Sequence, residues 1–108
     1  MPSTSTRLTR LPTALVLGRR VPVAVGRRAR LLGLAGLERR RAGGGLLIPG
    51  CRSVHTFGMR FALDLVFLDA DLRPLAVRRA VRPGRIAFSP RARAVLELPA
   101  ADPAGSRA

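Results

Sequence analysis

Cys51 and His55 stand four residues apart in a chain that holds one cysteine and one histidine. A thiol beside an imidazole is the core of a nucleophilic site, because the ring takes the proton and the thiolate attacks. Pro49-Gly50 places Cys51 on a turn, where a nucleophile would be exposed. In an extended segment, however, residues four apart share a face at about 13 Å, from ~3.3 Å per residue, beyond hydrogen-bond reach. Catalysis by this pair therefore requires a bend. The same side chains are soft metal ligands, but a zinc site typically needs three or four protein ligands. The remainder would have to come from Asp64, Asp69, Asp71 or Glu97, and no ligand-spacing motif draws them together. Neither a metal nor another cofactor is expected.

Two carboxylates interrupt apolar strands, in Leu63-Asp64-Leu65-Val66 and Val95-Leu96-Glu97-Leu98. Strand alternation puts Asp64 on the face of Val66 and Leu68, and Glu97 on the face of Val95 and Pro99. A carboxylate on a partly buried face is costly unless it is paired or hydrogen-bonded. The expectation is a set of structural ion pairs that fix strand register, with Arg60 and Arg93 as the partners of Asp64 and Glu97. The functional alternative is a polar pocket mouth lined by His55, Thr56, Arg60 and Asp64.

The elements that must position these residues follow from apolar spacing and turn formers. Residues 13–25 read as two short strands or an interrupted hairpin broken at Gly18-Arg19-Arg20, with Pro22 at a strand start or edge. Residues 27–37 are the best helix candidate, with Leu31, Leu34 and Ala35 on one face. Arginines in its first turn oppose the helix dipole, and Gly33 and Gly36 weaken it, so a short helix held by packing is expected. A basic, glycine-rich loop follows at residues 39–45. Strands are expected at 46–48, 54–59, 63–68, 75–81 and 95–98, with a turn at Asp69-Ala70-Asp71. Short strands between regular turn signals, with one helix, give an α+β, mostly β fold: a compact, barrel-like antiparallel sheet.

A chain of 108 residues supports one domain. That domain is expected at residues 13–100, with flexible tails at 1–12 and 101–108, which are polar, Pro-containing and without periodicity. Hydrophobic residues make up 47%, which argues against disorder, and the aromatics are all Phe, so the core must rest on Leu, Val and Ala. No apolar run approaches the ~20 residues of a membrane helix. The run Ala14 to Leu17 is too short for the ~7–15 residue apolar region of a signal peptide. A cytoplasmic location is expected, and a lone cysteine suits a reducing compartment.

All 20 basic residues are Arg, against 6 Asp+Glu, for a net charge of +14. Arg in place of Lys, alongside much Ala, Gly and Pro, fits the codon bias of a GC-rich genome such as a bacterial one. The excess of basic over acidic residues is not explained that way, and it favours anionic partners. No aromatic lies inside the clusters Arg27/Arg28/Arg30, Arg39 to Arg41, Arg78/Arg79/Arg82/Arg85 or Arg91/Arg93, and no helix-turn-helix or zinc-finger spacing is present. Weak, non-specific nucleic-acid binding at low salt is expected.

The stretch L-L-I-P-G-C-R-S-V-H-T-F-G-M-R-F-A-L-D-L-V-F-L-D, residues 46–69, together with R-A-R-A-V-L-E-L-P, residues 91–99, resembles the family called domain of unknown function 192. The resemblance covers residues 21–100 and implies the same barrel-like shape. The family has no agreed activity. Many of its members resemble a second version of the segment, with F-W-M-K-N where Phe57 to Phe61 stand here and without a reliable His at the position of His55. This chain is similar to the His-containing version, so the resemblance argues against His55 as an obligatory general base. The expected function is a small non-enzymatic binding module that holds a small acidic or apolar ligand, or a partner-protein segment, near residues 51–60. A hydrolase or transferase dependent on Cys51 and His55 is the alternative.

Overall fold

The computed structural model describes residues 4–101. The elements are α1 (Thr6–Thr9), β1 (Thr13–Val16), β2 (Arg19–Pro22), α2 (Arg27–Leu32), β3 (Leu46–Pro49), β4 (Ser53–His55), β5 (Leu63–Leu68), β6 (Pro74–Val81), β7 (Ile86–Phe88) and β8 (Ala94–Pro99), with a 3-10 turn at Arg39–Arg41. The fold is α+β and mostly β. It contains an open four-stranded sheet of order β3-β8-β5-β6 and two two-stranded ribbons, β1-β2 and β4-β7, all with antiparallel pairing. These sheets do not close into a barrel: β6 is an edge strand, and its arginines, Arg78 and Arg79, are exposed. Charge on an edge discourages pairing with another chain.

Alternation along the strands divides the core in two. Leu63, Leu65 and Phe67 of β5 join Leu46, Ile48 and Val95 on one face of the large sheet, under Leu8, Leu34 and Val54. Val66 and Leu68 join Leu47, Ala94 and Leu96 on the other face, covered by Val16 and Val21 of the β1-β2 hairpin. The central strand β5 is thus buried on both sides, which explains its nearly continuous apolar run.

Three departures from the sequence reading have physical causes. The 1–12 segment, expected to be a flexible tail, contains α1, capped by Ser5, whose Oγ accepts from the Arg7 N–H at 3.2 Å. Its Leu8 is 2% exposed and belongs to the core. One turn of helix offers too little periodicity to stand out among Ser, Thr and Arg. Residues 102–108 of the expected C-terminal tail lie outside the described residues. The strand expected at 54–59 stops at His55, because Thr56 begins a turn. The Thr56 hydroxyl donates to the Arg82 carbonyl at 2.7 Å and accepts from the Arg85 N–H at 2.8 Å, while the Met59 and Gly84 N–H groups donate to its carbonyl. This clamp brings in β7, which the sequence reading missed: three residues between Pro83-Gly84 and Ser89-Pro90 carry no alternation to read.

The turn expected at Asp69-Ala70-Asp71 forms, with Asp69 Oδ1 accepting from the N–H groups of Asp71 and Arg73 at 2.8 and 3.0 Å. No helix among the described residues is long and apolar enough to cross a membrane.

Candidate binding site

Glu97 occupies a position its strand assigns to the core. It faces Leu46 of β3 on one side and Leu65 of β5 on the other, and it is 3% exposed. Above it the chain leaves α2 at Gly33, with φ +53. A Cβ at Gly33 would lie 2.7 Å from Glu97 Oε1, closer than real contacts allow. The glycine thus serves two purposes: it turns the chain in a conformation that side chains rarely adopt, and it makes room for the carboxylate. The Leu34 N–H hydrogen-bonds the carboxylate, but Oε1 has no partner among the described residues. Burial outweighs that hydrogen bond and pushes the Glu97 carboxyl up to about 7.

Glu97 opens into a cleft of about 180 Å³ between α2 and the strands β3 and β4. Arg30, Gly33, Cys51, Ser53 and His55 line it. His55 stacks on Phe57 with ring centroids 5.3 Å apart, and its Nδ1 is buried without a hydrogen-bond partner among the described residues. Two buried polar atoms, one from β8 and one from β4, are therefore left unsatisfied at a single cleft. Buried polar atoms in folded proteins are nearly always hydrogen-bonded, so this coincidence is informative.

Cys51 belongs to the same cleft but is not activated. Its Sγ donates to the Ser53 carbonyl at 3.0 Å rather than to His55. Burial raises the thiol above its ordinary value, and this outweighs the Ser53 hydrogen bond and the charge of Arg30, which both lower it. A thiol held protonated beside an imidazole it does not contact is a poor nucleophile. No group of three or more His, Cys, Asp and Glu side chains is placed to hold a metal among the described residues.

The other expected site residues go elsewhere. Asp64 lies at a separate surface hollow with Arg19, Arg39 and Leu98. Its Oδ1 accepts from the Ala80 N–H at 2.8 Å, where β6 carries an extra residue opposite β5 and Ala80 takes φ +52. Asp64 thus caps a β-bulge and forms no ion pair with Arg60 or Arg93. Glu97 forms none either: the ion pair seen among the described residues is Arg40 with Glu38. The expected partnership of Arg60 and Arg93 with these carboxylates is corrected on both counts. A strand carboxylate can be satisfied by backbone N–H groups, and the sequence does not distinguish that from a salt bridge. Thr56 is buried in its turn clamp, and Arg60 is exposed away from the cleft, so of the four expected binding residues only His55 lines it. Gly33 and Arg30 went unrecognised as site residues. The signal for Gly33 was a glycine inside the apolar run L-L-G-L-A, residues 31–35.

The fold and the cleft together define a small, mostly β domain with a polar hollow under one short helix. The family model of domain of unknown function 192, described as "Uncharacterized ACR", matches residues 13–104, and the chain belongs to that family. No curated protein matches the chain. Among solved structures it is similar to a "putative transcription regulator" from Sinorhizobium meliloti 1021, with a TM-score of 0.61 and 21% identity over 82% of this chain and 78% of that one. It is also similar to a protein of unknown function from Novosphingobium aromaticivorans DSM 12444, with a TM-score of 0.60 and 17% identity over 90% of this chain and 87% of that one. At these identities the likeness is one of fold.

Proposed function

We propose that the protein is a non-enzymatic binding module whose small ligand occupies the cleft between α2, β3 and β4. The observation that carries this reading is the pair of unsatisfied buried atoms, Glu97 Oε1 and His55 Nδ1, at one cleft. An unsatisfied buried polar group costs about 1–3 kcal/mol, and more when charged. A ligand that brings hydrogen-bond partners to both atoms recovers that cost on binding. The cleft volume of about 180 Å³ is slightly larger than the ~150 Å³ cavity that accommodates benzene, so a compact molecule fits within it.

The hydrolase or transferase reading finds no support at Cys51, whose thiol is bonded to a backbone carbonyl and held protonated. Amide chemical shifts of the labelled full chain, recorded against a metabolite library, test the proposal. Shifts centred on Gly33, Cys51 and His55 are expected for at least one compact polar compound. A library that moves none of these three amides would overturn it.

A further inference from the structure

Resting on the reading of this cleft as a ligand site, we infer that its ligand class is a short amphoteric molecule of the amino-acid type, with its carboxylate toward Arg30 and its ammonium toward Glu97. The two ends of the cleft carry opposite charge. At the rim, Arg30 is exposed and among the described residues gives one hydrogen bond, from Nη2 to the Gly50 carbonyl at 3.2 Å, which leaves the rest of its donor fork open to them. At the floor, Glu97 Oε1 has no donor among the described residues, and Gly33 has no side chain to crowd it. Both charges act on Cys51 between them, Arg30 favouring the thiolate and Glu97 opposing it.

A simple anion fits one end only. Reaching the floor would set its charge against Glu97, and staying at the rim leaves Oε1 unsatisfied. A simple cation satisfies the floor, but it leaves the Arg30 fork open in a chain of net charge +14. A molecule with both groups satisfies both ends, and one the size of alanine or serine, comparable with the six heavy atoms of benzene, fits within the cleft. Guanidinium and carboxylate are matched in geometry, which suits Arg30 to the acid end.

The charged and titratable groups facing Glu97 across the cleft are Arg30 from α2, Cys51 from the turn after β3 and His55 from β4; β5 contributes the apolar Leu65. None is an anion at neutral pH that would compete for an ammonium. Glu97 accepts that ammonium as the carboxylate, so occupancy and its ionisation are linked. With its carboxyl at about 7, Glu97 is mostly protonated at pH 6 and mostly ionised at pH 8.

The test is a titration of the labelled full chain with alanine, propionate and ethylamine at pH 6 and pH 8. Alanine is expected to move the Gly33, Cys51 and His55 amides at pH 8 with an affinity about tenfold or more above either single-ended probe, and to bind about tenfold more weakly at pH 6. Glu97→Gln is expected to remove both the preference over propionate and the pH dependence. Arg30→Gln, at an exposed position where folding is not at stake, is expected to remove the preference over ethylamine. Equal affinity for a single-ended probe, or tighter alanine binding at pH 6, overturns the amphoteric assignment and leaves the cleft a ligand site. Silence from all three probes, where a library compound does shift these amides, overturns it in the same way. Silence from the library as well overturns both readings.

Discussion

Replacing Glu97 with Gln is expected to stabilise the protein at neutral pH and to flatten part of its stability profile. The carboxyl rises from an ordinary 4.5 to about 7 because it is flanked by Leu46 and Leu65 and 3% exposed. Below pH 4.5 the group is protonated in both the folded and unfolded chain, and it carries no penalty. Between 4.5 and 7 the unfolded chain gives up the proton while the folded chain keeps it. Folding then costs about 1.4 kcal/mol more with each pH unit, and the penalty levels off above 7 at about 3 kcal/mol. Gln has nearly the same shape and does not titrate. Urea unfolding of both proteins at half-unit steps from pH 4 to pH 8 measures the difference, with the other carboxylates cancelling between them. The stability of the variant relative to wild type should grow across that window by an amount on the order of 3 kcal/mol. Parallel profiles would refute the reasoning, since they would mean that Glu97 titrates alike in the folded and unfolded states.

Cys51 should alkylate slowly at neutral pH, with a rate that climbs only above the ordinary thiol range, because burial raises it; iodoacetamide kinetics against pH measure this, and rapid labelling at pH 7 would restore the nucleophile. Leu8→Ala should destabilise the fold by about 2–5 kcal/mol in urea unfolding, since Leu8 sits in the core despite its place near the chain start. Ala80→Gly should be neutral or stabilise by up to about 1 kcal/mol, because relief of the left-handed backbone is partly offset by glycine's extra entropy when unfolded. Duplex DNA should bind at low salt and be lost at physiological salt, with a slope of about −0.9 per phosphate contacted. A sequence preference of ~1000-fold surviving physiological salt would point to specific recognition instead.

The parts of the fold legible in the sequence are those written in repeated patterns. The Leu63–Leu68 strand has the bounds its apolar run implies, and the Asp69 turn forms from the local bonding its side chain favours. The hairpin broken at Gly18 is similarly local, whereas the helix expected over residues 27–37 stops at Leu32, where Gly33 turns the chain. What was not legible depends on partners distant along the chain. Thr56 ends its strand because residues 82–85 come to meet it, and β7 exists because that clamp delivers it to β4. The large sheet stays open because β6 ends as an edge, which no single strand's pattern reveals.

Asp64 and Glu97 show where the candidate site became illegible. Each is a carboxylate inside an apolar strand, and the cost of burial alone suggests an ion pair for both. The structure separates them by what lies opposite. Asp64 faces a bulge that offers it the Ala80 N–H, so its presence is explained by the backbone it caps. Glu97 faces a glycine and an open cleft, and the Leu34 N–H alone does not satisfy it. The first carboxylate contributes to the architecture; the second weakens it at neutral pH, where leucine would fit the same sheet face. A local choice that opposes the global fold, beside a second unsatisfied polar atom on His55, is the kind of inconsistency expected where a sequence serves binding rather than stability. Glu97, not the Cys51 and His55 spacing that first draws the eye, is therefore the residue on which the functional reading turns.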